Sequence, residues 1–270
     1  MTKLKFICIA SGSSGNCFYL GTSSYGLLID AGIGARTICK VLRERGIAIE
    51  TIMGIFVTHD HGDHIRALGK LSNGRYNIPV YTTEAIHIGI SHNYCHTNEI
   101  PQNNKRYISK EQTLMIKDLE ITPFEIPHDG SDNVGYSIRY GEHNFCFITD
   151  IGHITDTVRK YVAKAQHLIL EANYDENMLE NGPYPAILKE RIRGPQGHLS
   201  NRDTAEYLAN EFPTQLKNLW LCHLSQKNNT QALAYMTVKT ALERIGKRVG
   251  EDLNLYALQR LHPSATFEFE

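Results

Sequence analysis

Residues 58–64 read THDHGDH: three histidines and two aspartates in seven positions, directly after the apolar run GIFV. An apolar run enters a core, and burying ionisable groups beside it is costly unless something pairs with them. Imidazoles and carboxylates at this density are a donor set for divalent metal. His59 and His61 stand two apart at a strand end, so their side chains can point the same way. Asp63 and His64 follow Gly62, which permits a tight turn into a helix. Two ligand pairs diverging from one turn suit two adjacent metals better than one.

A dinuclear site needs ligands from elsewhere, and candidates occur after other strand-like runs: His128 in EIPHDG, Asp150 in CFITDIG, His198 in QGHLSN and His223 in LWLCHLS. Singly, His128 reads equally as a turn histidine and Asp150 as a helix cap. Together they repeat the context of His59. Phosphate contacts have three candidate clusters. Ser11, Ser13, Ser14 and Asn16 of SGSSGN offer hydroxyls and Gly-flanked amides for an anion nest. Ser200 and Asn201 precede a helix whose N-terminal amides attract anions, and Ser225, Asn228 and Asn229 precede another. The same residue types are ordinary turn formers. Lys189, Arg191 and Arg193 could track a nucleic-acid backbone, or form a solvated charged surface. The cluster HNYCH (His92, Cys95, His96) lacks a fourth ligand and reads as a helix end.

The elements that must position these groups are short. Strand-length runs recur (LKFICIA, CFYLGT, GLLIDAG, GIFVTH, NFCFITD, HLILEAN, NLWLCHLS), many ending at Gly, Asp or Asn. Helical patterns fall over 34–46, 64–72, 83–92, 155–165, 200–212 and 229–246. Early strands connect by hairpins and helices enter later, which predicts an α/β fold of two mixed sheets with helices outside. Residues 174–197 are the one long irregular stretch, read as an active-site loop. No repeat or linker divides the chain, so residues 1–270 read as a single domain.

Composition narrows the class. A net charge of −1 over 270 residues argues against bulk attraction to nucleic acid or membrane, leaving any phosphate recognition to a local site. Six cysteines without a C-x-x-C pair suit reduced thiols in the cytoplasm. The apolar stretch at the start is too short for a signal peptide, and no run nears the roughly 18 residues of a bilayer span.

LLIDAG, THDHGDH, PHD, FITDIG and a late HLS follow, in order, the five motifs of the metallo-β-lactamase fold hydrolases, which the whole chain resembles. SGSSGNC, EANYD, GPYPAILKERIRG, GHLSN and HLSQKNN are similar to the YycJ/WalJ-like members. The resemblance implies an αββα four-layer sandwich and two metals. It places His59, His61 and His128 on one metal, Asp63, His64 and His223 on the other, Asp150 as the bridge, and Asp30 as a residue that orients ligands. His198 resembles the His-Ser/Thr element of the tRNA 3′-processing endonucleases of this fold, where a histidine protonates the leaving group. Asp63 and His198 are thus the candidates for the reaction itself.

Two divalent ions about 3.5–4 Å apart can share a hydroxide nucleophile and stabilise attacking and leaving oxygens. Imidazole and carboxylate without thiolate suit Zn, Mn or Fe. A carboxylate at the bridge suits phosphodiesterases; antibiotic-hydrolysing relatives often carry cysteine there and are exported. The expectation is a nuclease acting on DNA from a 5′ end. Its rivals are a hydrolase of a small phosphodiester or thioester, and a metal-retaining regulatory protein of a cell-wall signalling pathway.

Overall fold

A computed structural model describes residues 3–93 and 99–270; Cys95 and His96 of HNYCH lie outside these, and His92 closes a helix. The chain divides into two compact units. The first comprises Met1–Gln112, Gly130–Val134 and Gln259–Glu270, the second Thr113–Asp129 and Gly135–Leu258.

The first unit is built on β1 (Leu4–Ala10), β2 (Cys17–Gly21), β3 (Gly26–Ile29), β4 (Ile52–Phe56), β5 (Val80–Thr82) and β6 (Lys105–Tyr107). They lie side by side in chain order, β1 to β3 antiparallel and β3 to β6 parallel. The C-terminal segment 267–269 pairs antiparallel on the outside of β1. β2 and β3 are buried at every residue, which is why they read as unbroken apolar runs rather than alternating ones. The helices are α1 (Ala35–Glu44), α2 (Gly62–Ile65), α3 (Leu68–Ser72) and α4 (Glu84–His92). α1 buries Ala35, Ile38, Val41 and Leu42, a stripe of helical period. Thr83 caps α4 by accepting from Ile86 N.

The second unit carries β7 (Leu114–Ile116), β8 (Leu119–Glu125), β9 (Val134–Tyr140), β10 (His143–Ile148), β11 (His167–Glu171), β12 (Asn218–Cys222) and β13 (Asn254–Ala257), again in chain order. β10 to β13 are parallel, so their C-terminal ends lie at one edge, where open α/β sheets gather functional groups. Cys146, Ile148, Leu168, Leu170, Leu219 and Leu221 share one core with residues of α5 (Asp156–Val162), α8 (Asn201–Asn210) and α9 (Gln231–Arg244). The alternate positions Phe145, Phe147, Ile169 and Trp220 are equally buried, as the two-residue period requires.

The expected α/β class with two mixed sheets is what forms, and each expected helical region is helical, the second as the pair α2 and α3. The stretch 174–197 differs. It holds α6 (Glu176–Asn181) and α7 (Ala186–Arg193), with a small core of Tyr174, Leu179 and Ile192 packed by Tyr184 and Leu188. Asp175 caps α6, Gly182 closes it and Pro185 opens α7. Gly and Pro bound short helices as readily as they mark loops, and six- and eight-residue helices carry too little periodicity to announce themselves. No described helix is long and apolar enough to cross a membrane.

Candidate metal centre

Asp30 follows β3 and the segment Thr58–His64 follows β4, strands that pair in parallel with Ile29 beside Phe56. Asp30 is fully buried with φ +59°, a strained backbone for a non-glycine residue. Its carboxylate accepts from Thr58 N at 2.8 Å and from Thr58 Oγ1 at 3.1 and 2.9 Å. Oδ2 also accepts from His64 Nδ1 at 2.7 Å. Thr58 Oγ1, having donated to Asp30, is left to accept from His59 Nδ1 at 3.0 Å. Both histidines are thereby held by Nδ1, which puts the ring lone pair on Nε2, the metal-binding nitrogen; on His64 that lone pair accepts from Asn16 Nδ2 at 2.9 Å. Burial raises the Asp30 carboxyl above its ordinary range, against the opposing pull of His64 and Thr58.

The rings of His59 and His61 lie 4.5 Å apart, those of His59 and His64 4.0 Å, and Asp63 Oδ2 is 3.7 Å from His64 Nε2. Gly32 makes this crowding feasible: a Cβ there would sit 1.5 Å from the Asp63 carbonyl oxygen. Asn16 N bonds that same oxygen at 2.8 Å. Asp60, the remaining carboxylate of the motif, accepts from Ser131 N and Oγ at 3.0 and 2.5 Å and fastens the segment after Gly130.

In the second unit, Asp150, Glu171 and His223 stand at or just past the ends of β10, β11 and β12. Asp150, Glu171, His198 and His223 each offer an atom within 4.8 Å of the others. They are not four equivalent ligands. Glu171 Oε1 accepts from His198 Nδ1 at 2.7 Å and His223 Nδ1 at 2.9 Å, while Oε2 accepts from Ile151 N and Leu199 N at 2.9 and 3.2 Å. A carboxylate so fully engaged fixes the orientation of both imidazoles. Asp150 Oδ1 lies 3.0 Å from His223 Nδ1 and 3.9 Å from His128 Nε2. His128 Nδ1 donates to the Gly197 carbonyl at 3.0 Å, which again presents Nε2. Burial opposes the imidazolium of His198, but the Glu171 charge and hydrogen bond outweigh it and raise its pKa. Burial likewise opposes the Glu171 carboxylate, and the two histidines hold it below its usual range.

His59 and His64 in the first unit and His128 and His223 in the second thus have Nδ1 engaged and carry Nε2 as the candidate donor, accompanied by carboxylates. That is the chemistry of a divalent-metal ligand set. Sequence reasoning passed over Glu171, although a carboxylate closing the wholly buried run HLILE carries the same signal that singled out Asp150.

Several of the residues expected to hold phosphate have other attachments. Ser200 caps α8, exchanging hydrogen bonds with Asp203. Asn229 Nδ2 donates to the Ala172 and Asn173 carbonyls and to Asn201 Oδ1, and Asn201 Nδ2 donates back to Asn229 Oδ1. Ser225 Oγ accepts from Asn228 N. Asn16 is tied to Gly12, with its Nδ2 2.9 Å from His64 Nε2. Ser11 is buried, Ser14 half-buried and Ser13 exposed. The loop cations are also engaged: Lys189 with the Glu180 carbonyl, Arg193 with the Glu180 carboxylate, Arg191 with Asp129.

The sequence profile of the β-lactamase superfamily domain matches residues 25–223, and the chain belongs to that superfamily, here with the metallo-β-lactamase fold of its metal-dependent hydrolases. Within it the chain is YycJ/WalJ-like. It is 34% identical to the exodeoxyribonuclease YycJ of Bacillus anthracis over 94% of both chains. It is also 34% identical to the exodeoxyribonuclease WalJ of Streptococcus pneumoniae over 93% of both. Among solved structures, the metallo-β-lactamase fold protein YhfI of Bacillus subtilis aligns with TM-score 0.70 at 18% identity, covering 99% of this chain and 100% of that one. Zn²⁺-bound PqqB of Methylobacterium extorquens aligns with TM-score 0.70 at 14% identity, covering 98% and 100%. The protein is a metal-dependent hydrolase that uses divalent metal.

Proposed function

We propose that this hydrolase is a dinuclear phosphodiesterase acting as a nuclease on DNA from a 5′ end. The observation that carries it is the Glu171 node: one buried carboxylate sets both His223 and the partly exposed His198. Such an arrangement suits a reaction that needs a proton delivered to a departing alkoxide. The names of the curated relatives support DNA as the substrate.

In this reading His59, His61 and His128 would hold one metal and Asp63, His64 and His223 the other, with Asp150 shared between them. When bound, such metals, Zn, Mn or Fe, would supply an activated water and charge neutralisation at the phosphate. Asp30 and Thr58 hold the rings of His64 and His59 in their ligating tautomers. Glu171 does the same for His223 and keeps a proton on His198 Nδ1, favouring the imidazolium. His198 donates the other ring proton, on Nε2, to the leaving oxygen and is left as neutral imidazole with Nδ1 still on Glu171. Ser13 and Ser14, with side chains accessible, remain the candidates for phosphate contact.

A second reading, hydrolysis of a small phosphodiester, is favoured by one observation: the cations of α7 are bound to the protein's own oxygen atoms rather than arrayed along a strand path. Incubating metal-loaded protein with end-labelled single- and double-stranded DNA and RNA, and with bis-p-nitrophenyl phosphate, separates the two. Progressive shortening of 3′-labelled DNA, with a 5′ label released at once as a small product, is expected; cleavage of the small ester alone replaces the first reading with the second.

A further inference from the structure

The last turn of α7 reaches the loop that carries His128. Arg191 Nε donates to Asp129 Oδ2 at 2.5 Å, on the residue directly after His128. The other oxygen, Asp129 Oδ1, lies 3.4 Å from His128 Nε2. On the far side of the ring, His128 Nδ1 donates to the Gly197 carbonyl, and α7 sets that carbonyl too. His198 N bonds the Ile192 carbonyl at 2.8 Å, and Gly197 packs so closely that a Cβ would stand 2.2 Å from the same oxygen. Both faces of the His128 loop are therefore referenced to one helical turn, through a side chain at Arg191 and through backbone at Gly197.

We propose that Arg191, acting through Asp129, is a positioning residue for His128, and that the pair clamps this ligand in the orientation that presents Nε2 to metal. The inference rests on the reading of His128 as a ligand. Arg191 is 55% exposed and Asp129 24%, and an ion pair so open to solvent contributes little to stability. The clamp's consequence is accordingly expected in metal affinity rather than in folding. Outer partners of ligating histidines typically alter affinity by about 10–100-fold. An Arg191 that served instead as a DNA phosphate contact would affect DNA binding and its salt dependence and leave metal affinity untouched.

The test is a competition titration of Zn²⁺ or Mn²⁺ against a chelating dye, on the full chain. The variants are Arg191→Ala, Asp129→Asn, their double mutant and His128→Ala, with apo melting temperatures as a check on folding. Each single clamp variant should weaken metal binding about tenfold, at a melting temperature near the parent's, and the double mutant should be no weaker than either single. Arg191→Ala and Asp129→Asn binding like the parent, with His128→Ala weakened, would overturn the clamp and leave the proposed function standing. Losses that multiply in the double mutant would show independent effects and also overturn it. Parental affinity in His128→Ala would remove His128 from the ligand set, and the clamp with it.

Discussion

Single side chains here divide by what their partners leave available. His198 has Nδ1 fixed on Glu171 and its side chain still 16% exposed, so it can meet a leaving group. His198→Ala should retain metal yet lose roughly 10²–10⁴-fold in kcat on an ester with a poor leaving group. The deficit should shrink on p-nitrophenyl esters, which need little protonation. Metal loss in His198→Ala, measured by elemental analysis, would mean the histidine is a ligand instead. Asn229 presents the opposite case. Its amide nitrogen shares two hydrogens among three acceptors inside the protein, so Asn229→Ala should lower unfolding free energy by about 1–3 kcal/mol, the cost of orphaned buried acceptors. KM of the surviving enzyme should hardly move. A raised KM at unchanged stability would restore Asn229 as a substrate contact.

Among elements, the turn after β3 and the α2 segment interlock through backbone. Ala31 N bonds the His64 carbonyl and Asn16 N the Asp63 carbonyl, both at 2.8 Å, with Gly32 wedged against the latter. Gly32→Ala forces that contact apart and should cost about 1–3 kcal/mol by overpacking, with weaker metal binding as Asp63 shifts. Gly34→Ala, two residues on, meets only Thr37 Oγ1 at 3.8 Å and should be neutral. Equal melting temperatures for the two variants would show that the turn relaxes freely and does not set the motif.

For the whole molecule, elemental analysis after reconstitution should find two divalent ions per chain, because the seven proposed ligands exceed one tetrahedral shell. Saturation at one ion, with Asp63→Ala fully active, would end the dinuclear reading. Acid stability follows from two buried histidines, one in each unit. Burial lowers the His87 pKa to about 4 and that of His167 to about 3, both against a value near 6.5 when unfolded. Between those limits the unfolded chain binds protons that the folded chain refuses. Stability is therefore complete above about pH 6.5 and is lost as pH falls toward 4, by about 1 kcal/mol per pH unit for each group. His87→Gln should give a shallower fall of melting temperature between pH 7 and pH 4.5. An unchanged slope would assign the acid limb to other groups.

By itself the sequence determined the chemistry class, because five ionisable groups packed after GIFV have few other uses, and the superfamily, because its motifs are contiguous. It also determined the long amphipathic helices and the apolar strands, whose signals are local periodicities. Only the tertiary structure distinguished residues of like type by their partners. Asn229 and Asn201 look like the turn residues of SGSSGN, yet their amides meet carbonyl and amide groups 28 to 57 positions away. Glu171 was hidden for the same reason: its histidines stand 27 and 52 residues further along. Whether a polar side chain faces a substrate or completes the interior depends on contacts between distant segments, and local sequence carries no record of those distances.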